Sequence, residues 1–262
     1  MTLHLAHEPR EAAEALSATD GRNTAIEATN VWFSYDGRTN VLQGASLAVQ
    51  RGAMTMILGR SGSGKTTLLK VIKGLLRPQR GSVVIHAAAT AGNGRVAADS
   101  TAYVPQSLGL VRSMTALDNT LTGALSRVGT LRSLMKSFPK AIVEEARDTV
   151  ARFGLAHKLN EPVYKLSGGE RQRIAIARAL MQNPSLILAD EFVSQLDPIT
   201  AEEILEMMRA ICRQGVSLLI TTHETDVVAG YADRIVVMRQ GSVIHDGPAG
   251  SLSQDGLLDI LR

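Results

Sequence analysis

From Thr24 onward the chain alternates between short, almost continuously apolar runs and amphipathic stretches. Apolar runs of four to eight residues bounded by turn residues predict strands, and apolar positions at spacings of three and four predict helices. This reading gives strands at Ala25–Tyr35, Val41–Val49 and Ala53–Leu58, then a glycine-rich turn and a helix from Thr66 to about Leu75. Strands at Ser82–His86 and Thr101–Val104 follow, separated by the small-residue loop 86–100. Residues 114–165 carry a different signal. Helical stretches at Thr115–Leu125, Leu131–Phe138 and Lys140–Phe153 come with no convincing strand between them, and Val143, Ala146, Val150 and Phe153 share one helical face. Alternation then resumes: helix Gly169–Met181, strand Leu186–Asp190, helix Thr200–Cys212, strand Val216–Thr221. A hairpin of Arg234–Met238 with Ser242–Asp246 turns at Gln240-Gly241, and a short helix closes at Leu252–Leu261.

Strand–helix alternation around a glycine-rich turn predicts an α/β fold with a mainly parallel sheet and helices on both faces. The expected organisation is a loosely ordered tail at 1–23, with Glu8–Ser17 able to form a short helix, followed by one domain at 24–262. Within it, 24–113 and 166–262 form the core, and 114–165 is a helical subdomain inserted into it.

Composition narrows the function classes. The 262 residues are 45% hydrophobic and 20% charged, the mix of an ordinary globular chain. Twenty-eight Lys and Arg against 25 Asp and Glu leave a net charge of +3, without the dense basic stripe that nucleic acid requires, so no nucleic-acid partner is expected. The single cysteine, Cys212, excludes a disulfide framework; it falls on the face of Ile204, Leu205, Met208 and Ile211 and reads as core. His4, His7, His86, His157 and His245 lack metal-ligand spacing. No run of 18 apolar residues and no secretory leader is present, so a cytosolic protein is expected, one that reaches a membrane only through partners.

The chemistry concentrates in one octapeptide. Gly59-Arg60-Ser61-Gly62-Ser63-Gly64-Lys65-Thr66 matches G-x-x-x-x-G-K-[ST], after a predicted strand and before a predicted helix, where Thr67 also lies. Gly62 and Gly64 let the backbone curl so that successive N–H groups face phosphate oxygens, and the helix start adds its positive dipole end. Lys65 would bridge the β- and γ-phosphates, and the Thr66 hydroxyl would coordinate Mg²⁺. Such a cradle needs a metal-holding acid and a water activator. The strand Leu186–Ala189 delivers Asp190 for the metal and Glu191 to deprotonate the attacking water.

Leu166-Ser167-Gly168-Gly169-Glu170-Arg171-Gln172 opens a second helix, with Ser167 able to cap it and the two glycines expected to leave N–H groups accessible. One chain with a cradle and a surplus anion-binding helix start points to a site shared between two copies. LSGGERQRIAIARAL resembles the signature of ATP-binding cassette (ABC) ATPases, and further landmarks of that family stand in order. Tyr35 in FSYDG resembles its adenine-stacking aromatic. Gln106 in YVPQ resembles the glutamine that contacts Mg²⁺ and the attacking water. Ser194-Gln195-Leu196-Asp197 resembles the D-loop, and His223 in TTHE the switch histidine that senses the γ-phosphate. The resemblance implies a P-loop core with an added antiparallel β part, ATP and Mg²⁺ as ligands, and an ATP-sandwich homodimer. It also implies docking on two transmembrane permease subunits at the cytoplasmic side of the inner membrane.

Two positions depart from the family pattern. Phe192 stands where proline is common after the glutamate, and the 86–100 loop is short and poor in charge. Arg171, Arg173 and Arg178 are expected to surround phosphates or meet a neighbouring subunit. One compact cassette without heptads or zinc spacing favours a transporter subunit over a soluble translation or repair protein. Gly123–Lys158, with its Arg-Ser-Leu and Phe-Pro-Lys stretches, resembles the helical domain of phosphonate and phosphite import ATPases, which implies an oxyanion cargo delivered by a periplasmic binding protein. Other importers, and lipoprotein-release or drug-export ATPases, stand as the alternative.

Overall fold

The computed structural model describes residues 23–86, 101–128, 138–194, 196–225, 230–251, 256 and 260. The expectations for the 1–22 tail, the 87–100 loop, the helix at 131–137, Gln195 and, apart from Gly256 and Ile260, the 252–261 helix lie outside them.

Two sheets share one interior. The larger has six strands: β3 (Met54–Leu58), β5 (Thr101–Val104), β6 (Leu186–Ala189), β7 (Ser217–Thr222), β8 (Arg234–Arg239) and β9 (Ser242–Pro248). Their order is β5-β6-β7-β3-β8-β9, all parallel except β9, which pairs antiparallel with β8 across the Gln240-Gly241 turn. The smaller sheet is antiparallel, with β1 (Thr24–Ser34) between β2 (Asn40–Gln50) and β4 (Arg80–Ile85).

Inner strands such as β3 and β6 read as unbroken apolar runs because both faces are buried. Met54, Met56 and Leu58 of β3, with Ile187 and Ala189 of β6, face a core closed by α4 (Gly168–Leu180) and α5 (Pro198–Arg213). Ile57, Leu186 and Leu188 face the other way, against α1 (Lys65–Ile72) and the inner faces of β1 and β2. The second face therefore differs from the expected layer of helices. Among the described residues one helix, α1, is wedged between the two sheets, and the antiparallel sheet covers the rest. Cys212 is buried among the α5 core residues, and burial pushes its thiol up to about 12.

The helical subdomain comprises α2 (Ala116–Thr122), α3 (Lys140–Arg152) and short 3-10 turns. On α3, Ala146, Val150 and the adjoining Phe153 are buried and Val143 packs beside them, as the spacing predicts. Its two ends are tied by backbone pairing that the apolar pattern does not reveal. Ala116 N–H donates to Glu161 O, Leu117 N–H to Leu159 O, and Val163 N–H to Met114 O. Asn119, 1% exposed, satisfies its amide on Val111, Met114 and Thr115, clipping this stretch to α2.

Candidate functional site

The parallel strands end at one edge, where an open α/β sheet presents its ligand-binding loops. Leaving β3, the chain turns through Gly59–Gly64 and enters α1. Gly62 has φ 80° and Gly64, the N-cap, φ 101°, conformations that favour glycine. At Gly59 a Cβ would stand 2.5 Å from both Met238 O and Ser63 Oγ, so the loop closes this tightly only over glycine. Arg60 and Ser61 are exposed, whereas Lys65 is 4% exposed and lies along the loop, its ammonium donating to Gly59 O at 2.6 Å and Arg60 O at 3.2 Å. Burial lowers the Lys65 pKa, and the nearby charges of Glu191 and Asp190 oppose that shift. Ser63 is buried with an unpartnered hydroxyl oxygen. A curled loop at a helix start, a buried ammonium and a spare hydroxyl fit a polyphosphate.

Asp190, 2% exposed, follows β6. Two hydroxyls converge on its carboxylate: Thr66 Oγ1 donates to Oδ1 at 3.0 Å and Thr221 Oγ1 donates to the same oxygen at 2.7 Å, with the Tyr103 phenol near enough to feel its charge. Burial, followed by the Asp190 charge, pushes the Tyr103 phenol up to about 12, so it stays a donor at neutral pH. Among the described residues no group of three His, Cys, Asp or Glu is placed to hold a metal. A hydroxyl and one carboxylate fit Mg²⁺, which keeps several waters and completes its shell with substrate phosphates.

Glu191 has φ 43°, a left-handed backbone that a non-glycine residue adopts only under constraint. Its N–H donates to Thr221 Oγ1 at 2.9 Å, and its Oε2 accepts from Gln106 Nε2 at 2.6 Å. The loop after β5 thus meets the loop after β6. His223 is exposed just past the end of β7, at the same edge. Phe192 is 2% exposed in the core under α4 and α5, so the ring that replaces proline anchors the turn by burial.

Tyr35 lies on the flank of α1. It is 61% exposed, packs edge-on against Phe33 at 4.8 Å, and its hydroxyl lies 3.3 Å from Thr67 Oγ1. The turn behind it is organised by Asp36, whose carboxylate accepts from Thr39 N, Arg38 N and Ser34 Oγ at 2.8–2.9 Å; these bonds hold its pKa down at about 2. Sequence reasoning missed Asp36, although an aspartate followed by glycine marks such a turn. It also missed Tyr103 and Thr221, for which the apolar pattern holds no signal.

At the start of α4, Ser167 Oγ accepts from Glu170 N at 3.2 Å and Glu170 Oε2 accepts from Ser167 N at 2.7 Å, a complete capping box. Ser167 and Gly168 are exposed, but Gly169 is buried with its Cα against Thr200, where a Cβ would collide with Cγ2. Open access therefore holds for Gly168, while Gly169 lets α4 pack closely on α5. Asp197 caps α5 by accepting from Thr200 N at 3.0 Å, and that bond lowers its pKa. The three arginines of α4 each have partners within the chain. Arg171 donates to Leu166 O, Arg173 pairs with Glu203, and Arg178 donates to Gly109 O and Leu108 O at 2.6 and 2.7 Å.

Fold and site together define a P-loop nucleotide-binding cassette. The profile of the ABC transporter family matches residues 42–194. The phosphonates import ATP-binding protein PhnC of Thiobacillus denitrificans is 38% identical over 241 residues, 91% of this chain and 93% of that protein. The phosphite import ATP-binding protein PxtA of Stutzerimonas stutzeri is 40% identical over 223 residues, 84% of this chain and 80% of that protein. Among solved structures, the ADP conformation of MJ1267, an ATP-binding cassette of an ABC transporter, superposes with a TM-score of 0.75 at 28% identity, covering 91% and 94% of the two chains. The dimeric structure of MJ0796, a bacterial ABC transporter cassette, gives 0.70 at 28% identity, covering 86% and 98%. The chain belongs to the ABC transporter family, as an ATP-binding subunit. No helix among the described residues is long and apolar enough to cross a membrane.

Proposed function

We propose that this ATPase subunit hydrolyses ATP in a site shared by two copies of the chain and thereby powers import of phosphonate or phosphite. The observation that carries the chemistry is the convergence of Lys65, Thr66, Asp190, Glu191 and Gln106 at one sheet edge. Backbone N–H groups of Gly59–Thr66 and the Lys65 ammonium bind the phosphates, Thr67 lies beside them, and Tyr35 stacks on the adenine. Thr66 and Asp190 hold Mg²⁺, with Gln106 completing the approach. The metal supplies charge neutralisation on the phosphates. Glu191, held by Gln106, accepts the proton of the attacking water. His223 senses the γ-phosphate from the end of β7.

Ser167 and Gly168 at the exposed start of α4 face the phosphates of the other copy, Gly169 seats that helix start on α5 behind them, and Asp197 faces the same junction. Closure of the two copies is favoured because ATP binds the closed dimer more tightly than the open one. The motion passes through the Gln106 loop to two permease subunits at the cytoplasmic face of the inner membrane. A periplasmic binding protein delivers the cargo to them. The oxyanion assignment is supported by the phosphonate and phosphite import relatives and by Gly123–Lys158.

Deleting the gene should abolish growth on a phosphonate or phosphite as sole phosphorus source and spare growth on phosphate. The wild-type gene should restore growth and Lys65→Ala should not. Unchanged uptake of labelled phosphonates and phosphite in the deletion strain would refute the cargo.

A further inference from the structure

We propose that Thr221 is a positioning residue for hydrolysis, its one hydroxyl tying the metal-holding acid to the backbone of the water-activating acid. The inference rests on the roles proposed above for Asp190 and Glu191. Thr221 is 0% exposed. Its Oγ1 donates to Asp190 Oδ1 at 2.7 Å and accepts the Glu191 N–H at 2.9 Å. A hydroxyl has one proton to give and lone pairs to receive, so both bonds form at once. Strand register puts it there: β6 and β7 run parallel with Ala189 opposite Ile220, and the next pair brings Thr221 beside Asp190.

The second bond matters because of Glu191's backbone. At φ 43° an L residue stays only where its surroundings hold it. Asp190 N–H is fixed from β5 by Val104 O at 2.9 Å, and Glu191 N–H is fixed from β7 by Thr221. Without the hydroxyl, the peptide that joins the two acids loses the bond to its N–H, and the Glu191 backbone is held only at its carbonyl, where Ser194 Oγ donates at 2.9 Å. Glu191 can then relax toward an ordinary backbone conformation and carry its carboxylate away from Gln106. Asp190 would also lose one of its two hydroxyl donors, Thr66 remaining, while Lys65 and the phosphate cradle stay as they are. Thr221 therefore acts on the rate of the chemical step more than on nucleotide affinity. It also stands two residues before His223, which follows the end of that strand, so a shift of the switch histidine reaches both acids through one side chain.

Thr221→Val keeps the shape and removes the hydroxyl; Thr221→Ser keeps the hydroxyl. In the full chain with ATP and Mg²⁺, kcat of the Val variant should fall about 10- to 100-fold, the worth of hydrogen bonds to a charged group. Its KM and ATP affinity should stay within about threefold of wild type, and the Ser variant should keep kcat within about threefold. On a Glu191→Gln background the Val substitution should have little further effect on the residual rate, because the residue it positions can no longer take the proton. Melting temperatures verify folding, and Thr221→Ala replaces the Val variant in the same cycle should that one not fold. A Val variant with wild-type kcat, a loss shared by the Ser variant, or an undiminished loss on the Glu191→Gln background would each overturn the proposal. Wild-type turnover by Glu191→Gln alone would instead overturn the reading of Glu191, and this inference with it.

Discussion

Replacing Arg178 with methionine separates the hold on the Gln106 loop from nucleotide binding. The guanidinium leaves α4 to donate to Gly109 O and Leu108 O at 2.6 and 2.7 Å. Those carbonyls belong to two successive left-handed residues, Leu108 at φ 62° and Gly109 at φ 61°. A hydrogen bond from a charged donor contributes about 1.5–3 kcal/mol. Two effects reduce the sum. Gly109 is exposed and its carbonyl can turn to water, and burial disfavours the charged guanidinium, as its lowered pKa records. The net loss is then about one such bond, roughly 1–2 kcal/mol, with a fall in Tm of about 2–8 °C for a chain of this size. The local effect is larger than the global one. Losing about 1.4 kcal/mol of local protection speeds amide exchange about tenfold at 108–110. Gln106 sits two residues away and makes the 2.6 Å bond to Glu191, so ATP hydrolysis should fall about three- to tenfold with ATP affinity unchanged. Hydrogen exchange by mass spectrometry, paired with an ATPase assay, reads both. Unchanged exchange over 106–110, or equal acceleration in α1 and α5, would refute the reasoning.

Gly169→Ala forces a Cβ into Thr200 and should cost about 1–3 kcal/mol by overpacking, while impairing ATP-driven dimerisation more than ATP binding; a variant with normal melting and normal dimerisation contradicts it. Lys65→Ala should largely abolish ATP binding, and near wild-type affinity in a titration would remove the lysine from the phosphate site. Tyr103 has a folded pKa of about 12 against an ordinary value of 10.0, so its contribution to stability is complete below pH 10 and is lost as pH rises through 12. Ultraviolet titration should show a late-ionising tyrosine that Tyr103→Phe removes; loss of an ordinary transition near pH 10 in that variant would disprove the burial and Asp190 charge that raise it.

Much of this architecture is written in local pattern. Buried strands such as MTMIL and LILA are apolar on both faces, and the cradle motif needs glycine where φ is positive, so both appear without tertiary information. What stays hidden depends on non-local register. Thr221 reads as one more β-branched strand residue until β6 and β7 are aligned. Arg178 reads as an arginine for phosphates or a neighbouring subunit until the Gln106 loop folds over it. Gly169 looks like a phosphate-facing glycine, although its Cα meets the start of α5. The pairing of 112–117 with 159–164 joins segments too short and irregular to carry a strand pattern.

The central claim is that Glu191 takes the proton from water in a site completed by a second copy. Glu191→Gln should retain ATP binding while slowing hydrolysis about 10²- to 10⁴-fold, since the amide can hold a water but cannot accept its proton. Light scattering coupled to size exclusion should then show this variant as a monomer alone and as a dimer holding two nucleotides with ATP and Mg²⁺. Ser167→Arg on the same background should stay monomeric, because the exposed start of α4 would be blocked. A Glu191→Gln protein that binds ATP yet remains monomeric, or that hydrolyses at the wild-type rate, would contradict the account.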